Sequence, residues 1–187
     1  QPGQEGLDAT LGYGVHTKAM LECLKGEGHI YALDVDPIES VKTKKRLEEA
    51  GFGEQILTVK LLNFEHIEKL AEETGPFDFI LADLGVSSMQ IDNPERGFSY
   101  KVEGPLDLRL NPLKGISAAE RLKELSREEL IGMLRENSDE PYAEEIANRI
   151  VNTLAKGKPI ETTSQLKEQI EAALCRVPAA ERAEAVK

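Results

Sequence analysis

The decapeptide DATLGYGVHT, residues 8–17, combines residue types that are typical of a ligand-binding turn. Gly12 and Gly14 let the backbone turn tightly and leave room for a ligand beside the main chain. Asp34 lies in the run LDVD, residues 33–36, which ends the second predicted strand, and is 22 positions beyond Gly12. A carboxylate at this place can accept hydrogen bonds from both hydroxyls of a ribose. Together these residues predict a site for a nucleoside-containing ligand, and a tight turn without a ligand is the alternative for the glycines alone.

Thr17 stands where the dinucleotide-binding pattern G-x-G-x-x-G has its third glycine. That glycine lets the helix close over a pyrophosphate, so its absence favours a ligand without a diphosphate, such as S-adenosylmethionine. A nicotinamide-dependent oxidoreductase is the second interpretation. The sequence offers that interpretation no Tyr/Lys or His/Asp set to donate a proton.

Polar and aromatic residues also follow the later predicted strands. Phe64 comes after the third strand, where its ring can lie against an adenine, and a core position is the alternative. Asp83 lies at the end of the fourth predicted strand, in FDFILADLG, residues 77–85. An acid at the carboxyl edge of a parallel sheet is typical of a ligand site, and a cap of a helix or loop is the alternative. Gln90 is a candidate to reach the same crevice, with a surface position as the alternative, whereas His16 taken alone is typical of a turn residue.

The elements that must position these residues alternate between strands and helices. Asp36 is a predicted helix cap, with Pro37 in the first position and Glu39 completing a D-x-x-E box, and Gly51 ends that helix. Such alternation predicts βαβ units, a parallel sheet and the α/β fold class. The predicted strands are EGLDAT and residues 29–36, 55–62 and 77–85, and the third predicted helix lies in NFEHIEKLAEETGP.

The second half of the chain has a different pattern. Residues 91–116 are rich in Pro and Gly and show no sustained period. Helical signals follow: the capping boxes SAAE and SREE, an apolar stripe in PYAEEIANRIVNTLAK, and a helix in TSQLKEQIEAAL that begins at a Thr163 cap. We therefore expect an α/β domain over residues 1–105 and a helical domain over residues 106–187.

Composition narrows the class of protein. The 187 residues carry a formal net charge of −11, which argues against nucleic-acid binding by bulk electrostatics. The sequence contains no apolar stretch of bilayer length and opens without a secretory signal. Cys23 and Cys175 show no pairing pattern, and the three histidines do not cluster with other ligands. We expect free thiols, a cytoplasmic location and no metal site.

The motifs DATLGYGVHT, LDVDP, NF and above all DLGVSSMQIDNPERGFSYKVEGPLDLRL resemble the RsmH/MraW family of 16S ribosomal RNA (cytosine-N4)-methyltransferases. A weaker match continues through KPIETTSQL. The resemblance implies that residues 1–105 form a partial S-adenosylmethionine-binding domain with a Rossmann-like class I methyltransferase sheet. It also implies that residues 106–187 form an all-helical insertion domain for substrate recognition. Members of the family have further segments after these motifs, so we expect an incomplete sheet and a chain that is part of a longer protein.

The resemblance also implies roles for individual residues. The cofactor is S-adenosyl-L-methionine, and the family usually has glycine where Val15 stands. Asp83 is the candidate acceptor for the amine proton during methyl transfer; a backbone carbonyl of residues 84–86, or a contact of Asp83 with the cofactor's amino group, are the alternatives. The implied cofactor contacts are Gly14, Val15, His16, Asp34, Phe64, Asp83 and Gln90.

The Pro/Gly-rich segment interleaves basic and aromatic residues, as a splayed-out RNA base and its phosphates require. A solvated loop is the alternative, and the basic run KTKKR, residues 42–46, is typical of an exposed helix face. The expected partner is 16S rRNA within the small ribosomal subunit, without a membrane, and a homodimer is compatible with the incomplete sheet. A non-catalytic nucleoside- or RNA-binding fragment is the third interpretation. The predicted RNA contacts are Arg96, Phe98, Tyr100, Lys101 and Arg109.

Overall fold

A computed structural model describes residues 1–178 of the chain. The chain divides into two compact units, the first spanning Gln1–Met89 and the second beginning at Gln90. This division falls earlier than residue 105, where the sequence pattern placed the end of the first domain. The assignment of a methyltransferase domain and an insertion domain stays a prediction.

The first unit contains a four-stranded sheet in which every pair of neighbouring strands is parallel. The strand order is β3-β2-β1-β4, so the carboxyl ends of all four strands lie at one edge. The predicted Rossmann-like parallel sheet is therefore confirmed. The elements are β1 (Glu5–Asp8), α1 (Val15–Leu24), β2 (His29–Asp34), α2 (Pro37–Glu49), β3 (Leu57–Leu61), a 3₁₀ turn (Phe64–His66), α3 (Ile67–Thr74) and β4 (Phe79–Leu81).

Apolar side chains cover both faces of this sheet. Along β2, Ile30 and Ala32 join one buried cluster while Leu33 joins the other, as the two-residue period of a strand requires. The first cluster takes Leu21 from α1 and Leu47 from α2. The second takes a leucine from α3. Helices on both faces leave the carboxyl edge of the strands as the surface available to a ligand.

The caps of α2 follow the predicted local chemistry. Asp36 Oδ1 accepts hydrogen bonds from the N–H groups of Ile38 and Glu39, at 2.9 and 3.2 Å. These bonds satisfy two of the N–H groups that the first turn of a helix leaves without an internal partner. Gly51 follows the end of the helix with a φ of +94°, a conformation that favours glycine.

All four strands are shorter than the apolar pattern suggested, and so is the third helix. The fourth strand covers Phe79–Leu81 instead of residues 77–85, because its pairing with β1 runs only from Gly6↔Phe79 to Asp8↔Leu81. The third helix begins as a 3₁₀ turn before α3. Both differences place polar residues outside regular structure at the edge of the sheet.

The second unit is helical, as predicted. Ser117 and Ser126 each form a complete capping box with the glutamate three residues later. The last helix is capped by Thr162, not by Thr163 as predicted, because the Thr162 hydroxyl accepts the hydrogen bond from Gln165 N–H. The elements are α4 (Ser88–Ile91) at the junction, a 3₁₀ turn (Pro94–Arg96), α5 (Ala118–Glu124), α6 (Arg127–Ser138), α7 (Ala143–Ala155) and α8 (Thr163–Ala173).

One apolar core holds the second unit together. Ala143, Ile146, Ala147 and Ile150 form the predicted buried stripe of α7. Leu106 joins this core from the Pro/Gly-rich segment, and its N–H donates to the carbonyl of Glu161 at 2.8 Å. The segment is thus attached to the start of α8.

Three further findings concern the described residues. None of their helices is long and apolar enough to cross a membrane. Residues 1–178 contain no group of three or more His, Cys, Asp or Glu side chains arranged to hold a metal ion. Cys23 and Cys175 are both exposed and are not joined in a disulfide.

Candidate functional site

The glycine loop, residues 11–14, connects β1 to α1 at the carboxyl edge of the sheet. Gly12 and Gly14 have φ values of +49° and +83°, and Gly14 is the N-cap of α1. A Cβ added to Gly14 would lie 2.7 Å from Cγ2 of Thr43, which is fully buried in α2. Both the positive φ and the close contact therefore require glycine at position 14.

Asp8 organises the base of this loop. Its side chain is fully buried, and its two carboxylate oxygens accept hydrogen bonds from Thr10 N–H at 3.0 Å and Thr17 Oγ1 at 2.6 Å. Thr17, at the place of the missing third glycine, thus ties α1 to the end of β1. The glycine pattern predicted the loop but not this bond, because nothing in the sequence shows that Thr17 turns back toward Asp8.

Asp34 contacts the glycine loop directly. Its Oδ2 accepts a hydrogen bond from Gly12 N–H at 2.9 Å, and its Oδ1 accepts one from Asp36 N–H at 2.9 Å. These two bonds fix the direction of the carboxylate, which has acceptor capacity beyond them. The residue that the sequence assigned to a ribose therefore lies beside the glycine loop with a fixed orientation.

Burial raises the pKa of Asp34, and the hydrogen bonds from the backbone of Asp36 and Gly12 oppose this effect. The folded protein consequently holds this proton more tightly than the unfolded chain does. Asp34 therefore lowers the free energy of unfolding as the pH rises from the usual aspartate pKa through the raised one. The carboxylate form, which accepts hydrogen bonds from hydroxyl groups, predominates only above the raised pKa.

We expect the affinity for an adenosyl ligand to fall as the pH is lowered through the raised pKa of Asp34. The acid limb of the affinity should lie above the usual aspartate range, because protonation removes an acceptor from the ribose hydroxyls. Calorimetric titration of S-adenosylhomocysteine at a series of pH values measures this limb. Asp34→Asn should bind roughly 30-fold more weakly at neutral pH and should flatten the limb; an unchanged limb in that variant would assign it to another group.

His16 and Asp83 lie together at the same edge. His16 Nε2 is 3.3 Å from Asp83 Oδ2, and the two side chains are 53% and 70% exposed, so solvent and ligands can reach both. A carboxylate only accepts hydrogen bonds, so this contact places the proton on Nε2 of the imidazole. The backbone N–H of Asp83 donates to Thr10 Oγ1 at 2.8 Å, which ties the end of β4 to the loop after β1.

Val15 and Phe64 present apolar surface in the first unit. Val15 begins α1 and is 63% exposed, and Phe64 begins the 3₁₀ turn after β3 and is 45% exposed. Asn63 accepts a hydrogen bond from Glu65 N–H and so fixes the start of that turn. The core position considered for Phe64 is wrong, since nearly half of the side chain is accessible.

Gln90 belongs to the second unit, where its side chain is buried in α4. Its predicted contact with the cofactor stays a prediction. The other six predicted cofactor residues belong to the first unit, at the end of a strand or after it, on the carboxyl edge of the sheet. Hydrogen bonds join Asp34 to Gly12 of the glycine loop and His16 to Asp83, and Gly14 and Val15 lie where the loop meets α1.

Two of the predicted RNA-contacting arginines are engaged inside the second unit. Arg96 is only 5% exposed, and its guanidinium donates to the carbonyls of Arg109 and Leu110 at 3.0 and 2.9 Å. Arg109 forms a two-bond ion pair with Asp107, with nitrogen–oxygen distances of 2.9 and 2.6 Å. Hydrogen bonding from Arg109 lowers the pKa of Asp107. Both arginines therefore stabilise the segment, and their contact with RNA stays a prediction.

The aromatic members of the predicted RNA set differ in exposure. Phe98 is half-buried and lies 6.0 Å from the Arg96 guanidinium, whereas Tyr100 and Lys101 are exposed. Lys167 of α8 places its Nζ 5.3 Å from the centre of the Tyr100 ring, a contact that the sequence did not indicate. Tyr100 therefore has a cation beside it, and both lie on the surface of the second unit.

The basic run of α2 is largely neutralised by neighbouring acids. Lys42 pairs with Glu39 at 2.9 Å, and Lys44 pairs with Glu54 at 3.1 Å. The Glu54 carboxylate raises the pKa of Lys44. This pattern agrees with the predicted solvated helix face and provides little attraction for a polyanion.

Comparisons with known proteins agree with the geometry. Ribosomal RNA small subunit methyltransferase H 1 of Lachnoclostridium phytofermentans is 64% identical over 187 residues, which are 100% of this chain and 51% of that protein. The protein of the same name from Agathobacter rectalis is 66% identical over 187 residues, 100% of this chain and 54% of its own length. The chain therefore spans about half the length of the curated relatives it matches.

Ribosomal RNA small subunit methyltransferase H 2 of Alkaliphilus metalliredigens is 58% identical over 186 residues, 53% of its length. None of these three relatives is named as a nicotinamide-dependent enzyme, so the oxidoreductase interpretation has no support. The MraW methylase family matches residues 1–187, which include every motif that carried the resemblance. The chain belongs to the MraW methylase family.

Proposed function

We propose that the full-length protein transfers a methyl group from S-adenosylmethionine to the exocyclic N4 amine of a cytidine in 16S rRNA. The observation that carries this proposal is the joining of the glycine loop to Asp34, and of His16 to Asp83, at one edge of the sheet in a member of the MraW methylase family. The names of the relatives, which are ribosomal RNA small subunit methyltransferases, support this substrate.

The residues of the first unit fit an adenosyl cofactor. Gly14 has no side chain that would obstruct a ligand beside the loop. The carboxylate of Asp34 has a fixed orientation for the ribose, and the ring of Phe64 is accessible to the adenine. Thr17 in place of the third glycine suits a ligand without a pyrophosphate. When bound, S-adenosylmethionine supplies an electrophilic methyl group on a sulfonium.

Asp83 is the proposed catalytic residue. The exocyclic amine of cytosine is a poor nucleophile, because its lone pair is drawn into the ring. An acceptor at the N–H group stabilises the positive charge that develops on nitrogen as the new bond to carbon forms. The exposed carboxylate of Asp83 provides such an acceptor, and the neighbouring imidazole of His16 restricts its direction.

The second unit is proposed to hold the RNA. A cytosine inside folded RNA has to be unstacked before its amine reaches a pocket, and an accessible aromatic ring stabilises the unstacked base. Tyr100 and Lys101 are exposed on this unit, with Lys167 beside the Tyr100 ring. We propose that these residues contact the RNA substrate. Phe98, Arg96 and Arg109, which lie in the same Pro/Gly-rich segment as Tyr100 and Lys101, are proposed to contact it as well.

Mass spectrometry of 16S rRNA tests the proposal. Small ribosomal subunits that lack the modification are incubated with the full-length protein and S-adenosylmethionine carrying a labelled methyl group. We expect one cytidine to gain the label on N4, with weak or no labelling of naked RNA. Binding of the cofactor without any labelling would favour the third interpretation, a non-catalytic nucleoside- or RNA-binding protein, and labelling of another base would contradict the cytosine assignment.

A further inference from the structure

Two side chains of helix α2, which the sequence motifs did not indicate, form hydrogen bonds with the backbone of the glycine loop. Thr43 is fully buried, and its hydroxyl donates a hydrogen bond to the carbonyl of Gly12 at 2.7 Å. Arg46 Nη1 donates to the carbonyl of Tyr13 at 2.6 Å and to Thr43 Oγ1 at 3.3 Å. Two consecutive carbonyls of the loop therefore accept hydrogen bonds from one helix.

Arg46 makes further contacts around the same loop. Its guanidinium carbon lies 3.7 Å from the centre of the Tyr13 ring, which is the geometry of a cation–π interaction. Its Nη2 is 4.0 Å from the sulfur of Met89, in the segment that follows Asp83. One side chain thus contacts both the loop after β1 and the segment after β4.

These bonds fix the direction of the loop's peptide groups. In a trans peptide the C=O and the following N–H point in opposite directions. Because the Gly12 carbonyl points at Thr43, the N–H of Tyr13 points away from α2. The next peptide is held at both ends, since its carbonyl accepts from Arg46 and its Gly14 N–H donates to Leu11 at 2.8 Å.

We propose that Thr43 and Arg46 are positioning residues of the cofactor site. Their hydrogen bonds turn the carbonyls of the glycine loop toward α2. The Tyr13 N–H and the start of α1 then face the carboxylate of the methionine portion of the cofactor. This inference deepens the proposed function and rests on it. Rotation of either peptide would direct a carbonyl oxygen at that carboxylate, which is repulsive, and would remove an N–H donor. The adenosine portion, held by Asp34, is not affected by this rotation.

Two ligands separate the two portions of the cofactor. S-adenosylhomocysteine contains the carboxylate, whereas 5′-methylthioadenosine contains the adenosine and lacks it. We expect Thr43→Val, which keeps the shape of the side chain, and Arg46→Met to bind S-adenosylhomocysteine about 10-fold more weakly. This factor corresponds to the loss of part of the charge-assisted hydrogen bonding between the loop and the carboxylate of the ligand. Both variants should bind 5′-methylthioadenosine within about twofold of the wild type.

Matched variants show whether the hydrogen bonds are responsible. Thr43→Ser keeps the hydroxyl and should retain affinity within about threefold, and Lys45→Met removes a cation from the exposed face of the same helix and should change nothing. In methyl transfer, the KM for S-adenosylmethionine should rise by the same factor as the dissociation constant, while kcat stays within about twofold.

Calorimetric titration of the full-length protein with each ligand decides between the outcomes. A thermal melt of each variant shows whether that variant is folded. Equal affinity of wild type and variants for S-adenosylhomocysteine would overturn the inference, and so would an equal loss for both ligands. If Thr43→Val does not fold, the ligand selectivity of the less buried Arg46→Met decides. A wild type that binds neither ligand would instead contradict the proposed function, so the two failures are distinguishable.

Discussion

Replacing Asp83 by Asn is expected to lower kcat for methyl transfer by roughly 10²–10³-fold, as the loss of one fixed group that stabilises developing charge does in other enzymes. The amide has nearly the shape of the carboxylate but carries no negative charge toward the amine. Stability should be almost unchanged, because the side chain is exposed and its one described side-chain contact is the 3.3 Å contact with His16. Single-turnover methylation of small subunits measures this effect without product release.

The same variant distinguishes the two roles open to Asp83. If the carboxylate holds the cofactor's amino group, Asp83→Asn will weaken cofactor binding and leave the saturated rate within about threefold of the wild type, which would contradict the catalytic assignment. Asp78→Asn is the matched control. Asp78 lies at the opposite end of β4, where it accepts a hydrogen bond from Glu5 N–H at 2.7 Å, and its replacement should leave kcat unchanged.

Gly14→Ala is expected to lower the free energy of unfolding by about 3 kcal/mol, the sum of left-handed backbone strain and overpacking. The new methyl group would lie 2.7 Å from Thr43 Cγ2 and 3.3 Å from Leu47 Cδ1, and both of these side chains are buried. Displacement of the loop should also weaken binding of S-adenosylhomocysteine. Urea unfolding and calorimetry on the same preparation measure both effects.

Gly51→Ala separates the two causes of this destabilisation. Gly51 also has a positive φ, of +94°, but a Cβ added there meets nothing within 4 Å. We expect that variant to lose only about 1 kcal/mol, from backbone strain, and to bind the ligand normally. Equal losses at positions 14 and 51 would show that contact with Thr43 contributes nothing.

The fold could be predicted where its determinants are local. Asp36, Ser117 and Ser126 cap helices through bonds to groups two or three residues away, and such short-range chemistry is visible in the sequence. The end of β4 could not be predicted in this way, because it depends on where the backbone pairing with β1 ends. The Thr162 cap was missed for a different reason, since two adjacent threonines offer equivalent hydroxyls.

The site was predictable where the ligand imposes a pattern on the chain. Gly12 and Asp34 are separated by 22 residues, yet their types and their places at the ends of two strands indicated a shared ligand site. The hydrogen bond that joins them was not predicted. The contributions of Asp8, Thr43 and Arg46 were not indicated, because a buried acid or a helix cation can contact many partners and its type does not specify which.

The internal engagement of Arg96 and Arg109 has a consequence for the ionic-strength dependence of binding. Guanidinium groups already bonded to carbonyls and to a neighbouring carboxylate displace few cations from a phosphodiester chain, so association with RNA should release few counterions. The logarithm of the association constant should then decline with the logarithm of salt concentration with a slope shallower than about −3. Selection of the target would depend on the folded shape of the ribosomal particle, and a filter-binding series in potassium chloride would measure that slope.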